Sequence, residues 1–141
     1  MSTKENPGLV AEAIRLEPDP LLPFRIASGY RVGDLVITSG QAAIDEHGNL
    51  VGVGDFDAQA ACTFGNLKRV LEAAGSSLEQ VIKVTIYLTD MANFPKIVEL
   101  RGRYFRAPWP ADTIVEVRSL ALPELMIEIE ATALARGSIR R

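Results

Sequence analysis

Leu125-Met-Ile-Glu-Ile-Glu-Ala-Thr-Ala-Leu134 is the stretch of sequence that decides the fold. Its side chains alternate in polarity, and since successive side chains of a strand point to opposite faces, the pattern predicts a β-strand. One face, packed on a core, is predicted to hold Ile127, Ile129, Ala131 and Ala133. The other face holds Met126, Glu128, Glu130, Thr132 and Leu134. That second face is too polar for a core and too apolar for a solvated surface, so it predicts contact with a partner, a ligand, or both.

The sequence around this strand predicts a mixture of helices and strands. Helices are predicted where apolar residues recur at three- and four-residue steps, and strands where they alternate. The predicted order is two strands (25–32 and 35–39), a helix (56–74), a strand (82–89), a helix (from 93 or 94 to 105) and two strands (112–118 and 125–134). Residues 1–23 are rich in proline and are predicted to be irregular, with a short helical turn or strand between Leu9 and Leu16.

Two helices can cover only one face of such a mixed sheet, which indicates an α+β fold in a single domain, residues 1–141. The uncovered face is predicted to carry Tyr87, Ile114, Met126, Glu128 and Arg118. No third layer remains in the chain to cover these side chains. Because a monomer rarely leaves so much mixed surface open, the pattern predicts self-association through this face.

Composition excludes several classes of function. The net charge is −3 and like charges form no block, so nucleic-acid binding is not expected. One cysteine, Cys62, excludes an internal disulfide, and with a single histidine, His47, neither a metal nor another cofactor is expected. No apolar run approaches the roughly 18 residues that span a bilayer, and the N-terminus lacks a signal peptide's apolar segment. We therefore expect no membrane contact and a cytoplasmic location.

Glu128 is the strongest candidate for a catalytic group. A carboxylate on a partly dry surface holds its proton more tightly and can act as general acid or base. The residues leave a structural alternative open, in which Glu128 or Glu130 pairs with Lys83 or Arg118 across the sheet. On pattern alone this ion pair is the favoured alternative.

Other candidate site residues come from two turns. Thr38-Ser39-Gly40-Gln41 ends a strand in a small turn that can offer a hydroxyl and backbone N–H groups to an anion or carbonyl oxygen. Trp109 lies between two prolines and can wall a ligand, and Asp112 can lie at the mouth of a pocket. The structural alternatives are a tight turn with a satisfied serine, a stapled loop and a loop cap.

Together, these segments resemble the Rid family, also called RidA or YjgF-like proteins. The resemblance covers roughly residues 24–136, and the pieces are specific in their order and spacing. The matching pieces are Gly33 to Gln41, Asn66-Leu67 with Val70 to Gly75, Val81 to Met91, Phe105, Pro110-Ala111, Val115-Glu116-Val117 and Ile127 to Ala133.

The resemblance implies a chorismate-mutase-like α+β protomer and a homotrimer that binds small molecules in three clefts between subunits. It also implies hydrolysis of reactive enamines and imines, such as 2-aminoacrylate, to a 2-oxo acid and ammonia. In that scheme an arginine after the Pro-Ala pair binds the substrate carboxylate. The first glutamate of the Glu-Ile-Glu strand, here Glu128, activates water, and the Ser39-Gly40 turn orients the substrate.

The chain departs from the family pattern at the substrate-binding end of that site. Asp112 stands where the arginine is expected, Ile114 replaces a small residue two places later, and Val98 aligns with an asparagine of the second helix. The chain thus resembles the subgroups of the family that lack the arginine. On this resemblance, we expect Glu128 to be catalytic and the substrate to contact Ser39, Gly40, Tyr87, Trp109, Ala111, Asp112 and Ile114.

The leading hypothesis is a hydrolase or deaminase acting on an imine, enamine or related amino compound, in which Asp112 disfavours standard 2-aminoacrylate deamination because it would repel a carboxylate. Two alternatives remain open. One is a non-catalytic module that binds a ligand or a protein partner with the same clefts. The other is a pathway-specific deaminase of an aminomuconate-like compound.

Overall fold

The computed structural model of the protein describes residues 8–140. In this range a mixed sheet of seven strands has two α-helices on one face, so the predicted α+β fold is confirmed. The strands are β1 (Ala11–Ala13), β2 (Gly29–Val32), β3 (Leu35–Thr38), β4 (Gln41–Ala42), β5 (Val81–Leu88), β6 (Ala111–Glu116) and β7 (Ile127–Leu134). The helices are α1 (Phe56–Ala73) and α2 (Phe94–Tyr104). Most predicted elements differ from these only at their ends, and the segment near Leu9 contains a strand rather than a helical turn.

Strand β7 lies in the middle of the sheet, whose order is β1-β2-β3-β7-β5-β6, with β4 also paired to β7. It runs antiparallel to β3, β4 and β5, whereas β5 and β6 are parallel and are joined by the crossover through α2. The core beneath the helices buries Ile127 and Ile129 completely. The strict alternation of the Leu125–Leu134 sequence thus belongs to a central strand with one face on the core.

Helix α1 begins at Phe56 as predicted and ends at Ala73, one residue before the predicted end. The Asp55 carboxylate accepts a hydrogen bond from the backbone N–H of Ala58 at 3.1 Å, which caps the first turn. Gly75 follows the helix with φ of 81°, a left-handed conformation that glycine adopts without strain. The backbone N–H of Ser76 then bonds to the carbonyl of Leu71 at 2.8 Å and closes the C-terminus.

Gln59, a fully buried polar residue of α1, ties the helix to the segment that leads into β7. Its side-chain N–H donates to the carbonyl oxygen of Glu124 at 2.8 Å, and its carbonyl oxygen accepts from the backbone N–H of Met126 at 2.8 Å. The N–H and carbonyl groups of the Gln59 side chain therefore both have partners. The two hydrogen bonds fix the position of the start of β7 relative to α1.

Replacing Gln59 by leucine is expected to destabilise the protein by about 2 kcal/mol, because the two part-buried hydrogen bonds of its fully buried amide are lost. Urea unfolding followed by circular dichroism measures the loss. Gln80 is the matched control, since its amide bonds to the carbonyl of Gly137 at the surface, and Gln80→Leu should cost well under about 1 kcal/mol. Equal losses in the two variants would contradict a supporting role for Gln59.

The sheet face away from the helices is open among the described residues. Four of its large apolar side chains are more than a third exposed: Tyr30, Leu35, Ile37 and Val115. The predicted place of Ile114 on this face was wrong. The parallel register pairs Ile86 with Ile114 and Tyr87 with Val115, so Ile114 packs on the core side. The side chains of β6 alternate between the two faces of the sheet as predicted. Which of them face the core is decided by the pairing of β6 with β5.

Between residues 8 and 140, neither helix has the length and apolar character needed to cross a membrane.

Candidate active site

The open face of the sheet brings two carboxylates and a tyrosine together. Glu128 and Glu130 are two residues apart on β7, and both point to this face because Ile127 and Ile129 point into the core. Tyr87 of β5 stands directly opposite Glu128 in the antiparallel register, and Thr85 stands opposite Glu130. Central strands therefore position these groups on a rigid support.

The Glu128 carboxylate lies against the backbone of Gly40. The pairing along one edge of β7 passes from β3 to β4, and Ser39-Gly40 forms the break between them, with Ala42 of β4 opposite Glu128. A Cβ atom built on Gly40 would lie 2.5 Å from Oε2 and 2.6 Å from Cδ of Glu128. Only glycine leaves room for the carboxylate in this position. Gly40 is therefore needed for the space that it leaves, and not for a backbone conformation that other residues avoid.

Glu128 has no charged partner among the described residues. Within residues 8–140 its carboxylate makes no ion pair and accepts no hydrogen bond, so the alternative pairing with Lys83 or Arg118 is not formed there. Partial burial, and second the negative charge of Glu130, raise the pKa of Glu128 above its ordinary value. A half-buried, unpaired carboxyl group with a raised pKa keeps its proton to a higher pH than an ordinary glutamate and can act as general acid or base.

Ser39 holds the turn beside Glu128 in place. Its hydroxyl donates to the carbonyl oxygen of Ala27 at 2.5 Å, and its backbone N–H donates to the carbonyl of Ser28 at 2.9 Å. The side-chain amide of Gln41 donates to the carbonyl of Ser39 at 3.1 Å. The donors of Ser39 are thus engaged within the protomer, and what the hydroxyl can offer a ligand is its oxygen lone pairs.

The Tyr87 hydroxyl does not bond to Glu128, the residue directly opposite it on β7. Although it stands opposite Glu128, its hydroxyl donates to Oε1 of Glu130. This hydrogen bond, with the negative charges of Glu130 and Glu128 and some burial, raises the pKa of Tyr87 to about 12. The tyrosine is thus a hydrogen-bond donor at physiological pH, and its donor is aimed at Glu130.

Asp112 lies on the other side of the sheet from Glu128. The register pairs Asp112 with Val84, a buried core residue, and so turns its carboxylate toward α2. There Oδ2 accepts a hydrogen bond from Nε of Arg101 at 2.8 Å, and the Arg101 guanidinium lies 5.7 Å from the ring centre of Phe94. The Asp112 charge is therefore neutralised within the protomer.

The remaining predicted site residues are spread around β6. Ile114 packs toward the core, whereas Ala111 is exposed at the start of the strand beside Lys83. Trp109 adopts φ of 70° and walls a small cavity of about 140 Å³ near Ile139, away from Glu128. One protomer thus brings Glu128, Gly40, Ser39 and Tyr87 together and leaves Trp109, Ala111, Asp112 and Ile114 elsewhere.

Sequence reasoning missed two features of this region. Arg101 did not stand out in the sequence of its helix, but it is the partner of Asp112, a contact that only tertiary packing of α2 on β6 creates. The Tyr87–Glu130 hydrogen bond was also missed, although both residues were placed on one face. The usable signal was the cross-strand pairing of a tyrosine with a two-glutamate strand. Within residues 8–140, no group of three or more His, Cys, Asp or Glu residues is arranged to hold a metal ion.

Known proteins resemble this chain in sequence and in fold. The family model described as Endoribonuclease L-PSP matches residues 16–135. A RutC family protein of Pyrococcus horikoshii is 40% identical over 116 residues, which are 82% of this chain and 90% of that protein. The 3-aminoacrylate deaminase RutC of Acinetobacter baylyi is 35% identical over 116 residues, with the same coverage. The crystal structure of RidA from an Antarctic Psychrobacter matches with a TM-score of 0.79 at 31% identity, covering 87% of this chain and 98% of that one.

Proposed function

This chain belongs to the Rid family, and from that membership we propose that it hydrolyses a small imine or enamine to a carbonyl compound and ammonia in clefts between the subunits of a homotrimer. The observation that carries the proposal is the Glu128 carboxyl group, half-buried, without a charged partner in the described chain and seated on Gly40. A relative of this chain is named as a deaminase of 3-aminoacrylate, which is a small enamine.

The role of Glu128 is to carry protons from oxygen to nitrogen. Water adds to the imine carbon, a C–O bond forms, and the proton that leaves the water oxygen passes through Glu128 to the imine nitrogen. When the resulting amino alcohol breaks down, its hydroxyl proton follows the same route, the C–N bond breaks, and ammonia leaves. The sum is one imine and one water converted to one carbonyl compound and one ammonia, with the carboxyl group returned to its initial state.

Self-association is proposed because the described residues leave one sheet face open, and three copies are proposed because the resemblance to the Rid family implies a trimer. Tyr30, Leu35, Ile37 and Val115 expose apolar surface on this face, the same face that carries Glu128. Association through this face would bury that surface and would enclose Glu128 in a cleft with less water. Residues from different protomers would then complete a site of which each protomer holds only a part.

Sedimentation equilibrium at micromolar concentration is expected to give three times the mass of one chain. Replacing Ile37 by glutamate on the open face should shift the protein toward monomer, because a charge would be buried without a partner. Exposed Val53, in the loop before α1, is the control position, and Val53→Glu should leave the trimer intact. A wild-type protein that remains monomeric would contradict the proposed cleft.

The Arg101–Asp112 pair favours a second candidate function. The resemblance implies a substrate carboxylate at this position, yet here an aspartate occupies it and is already bound to Arg101. This observation favours a module that binds a ligand or partner without turning it over. If the chain is an enzyme, the same observation favours a substrate whose recognition does not need a cation at residue 112.

Ammonia release from imines generated in situ distinguishes these functions. An amino-acid oxidase produces the imines from a panel of amino acids, and the chain is added at catalytic concentration. The proposed function predicts faster ammonia release for at least one imine. No acceleration across the panel, combined with a small molecule retained by the purified protein, would support the binding module instead.

A further inference from the structure

The hydrogen-bond partner of Tyr87 is not the glutamate that stands opposite it. The antiparallel register puts it opposite Glu128, but its hydroxyl reaches along the face to Glu130 and leaves the Glu128 carboxylate without a protein donor in the described chain. Because a strand rises about 3.3 Å per residue, the two glutamates stand roughly 6 to 7 Å apart along β7. The hydroxyl therefore fixes one carboxylate at a short distance from the other.

Two like charges at this separation affect each other's protonation. In a partly dry environment, the negative charge of one carboxylate raises the free energy needed to ionise the other. The carboxyl group with fewer hydrogen-bond or charged partners therefore keeps its proton more tightly. Glu130 has the Tyr87 hydroxyl, whereas Glu128 has none. The geometry thus assigns the proton to Glu128.

We propose that Tyr87 and Glu130 are positioning residues for Glu128: the hydroxyl anchors the Glu130 carboxylate, and the anchored charge keeps a proton on Glu128 at pH values where an isolated glutamate would have lost it. This inference rests on the proposed function, since it concerns the same carboxyl group. It assigns to the second glutamate of the strand the task of setting the pH above which the first becomes a carboxylate that can accept a proton from water, which is the acid limb of the pH–rate profile.

Few other charged groups act on Glu128 from the elements around it. On the open face, β3, β4 and the described residues of the Ser39-Gly40 turn carry no titratable side chain, and Ala111, Thr113 and Val115 of β6 carry none. From β5, Lys83 stands opposite Thr132 and donates to Oγ1 of Thr113 at 2.7 Å, so its charge is directed away from β7. Glu130 is therefore the dominant charge near Glu128 in the described protomer.

The test is a carboxyl-carbon NMR titration of Glu128 in the whole protein, combined with the pH dependence of kcat/KM. In Glu130→Gln the titration midpoint of Glu128 and the acid limb of the rate profile should both move to lower pH. In Tyr87→Phe they should move in the same direction but less, because the released Glu130 carboxylate can turn toward solvent. Glu99→Gln, on the exposed surface of α2, removes the same charge and should move them at most about a third as far.

An unchanged midpoint in Glu130→Gln would overturn the inference, and so would an equal shift in Glu99→Gln. Neither result would affect the proposed function, which fails separately if loss of the Glu128 carboxylate leaves turnover intact. If Glu130→Gln does not fold, the Tyr87→Phe titration decides: a midpoint that moves down supports the inference, and one that stays in place overturns it.

Discussion

Replacing Gly40 by alanine is expected to lower turnover at least about tenfold while the protein stays folded. The added methyl group would lie 2.5 Å from Oε2 of Glu128, so the carboxylate must rotate away from its place. Displacement of a reacting group by about 1 Å can cost up to about 100-fold in rate. The cost in stability should stay below about 1 kcal/mol, because the atoms that must move are the far end of a flexible side chain. Steady-state ammonia release and urea unfolding measure the two effects.

Gly65→Ala is the matched control for this variant. Gly65 lies in the middle of α1, and a Cβ there would meet no atom within 4 Å outside the helix's own backbone. Alanine at this position should stabilise the helix by up to about 1 kcal/mol and leave turnover unchanged. Wild-type turnover in Gly40→Ala would mean that the carboxylate does not work from the position in which it rests on the glycine.

Replacing Glu128 by glutamine should have the largest effect, a loss of turnover of about 100-fold or more, because an amide neither accepts nor releases a proton near neutral pH. The same change should make the fold more stable near neutral pH. It removes a partly desolvated charge that has no charged partner in the described chain, so a gain in stability is expected. Urea unfolding at several pH values measures the gain.

The sign of this stability effect follows from the raised pKa of Glu128. In the window between its ordinary pKa and the raised one, the folded protein holds a proton that the unfolded chain has lost, so stability falls as pH rises through the window. Above the raised pKa the destabilisation is complete, and below the ordinary pKa it is absent. The gain of Glu128→Gln should therefore be present at neutral pH and disappear in acid. A gain that is independent of pH would point to a packing effect instead.

The fold was largely predictable because its elements have strong local signals. Leu125–Leu134 alternates strictly since it becomes the central strand, with partners on both edges and helices over one face. Asp55 and Gly75 mark the ends of α1 through hydrogen bonds and a backbone conformation that depend on those residues alone. Such features depend only on residues that are close together in the sequence.

The candidate site was only partly predictable because it depends on contacts between distant segments. The resemblance implies that the Ser39-Gly40 turn and Glu128 share a site, but the contact of Gly40 with the Glu128 carboxylate depends on the pairing of the two-residue strand β4 with β7. The side of the sheet on which Asp112 and Ile114 lie depends on the parallel register of β6, which alternation cannot provide. Arg101 reaches Asp112 because α2 folds back over β6, and no pattern within either segment indicates that contact.

The most direct measurement is kcat/KM for ammonia release by the wild-type protein and by Glu128→Gln, side by side, on the imine that the wild type hydrolyses fastest. We expect the variant to keep the fold and the oligomeric state of the wild type and to lose about 100-fold or more of kcat/KM, while Glu99→Gln keeps the wild-type rate. A folded Glu128→Gln protein that releases ammonia as fast as the wild type would contradict the role of this carboxyl group in the reaction.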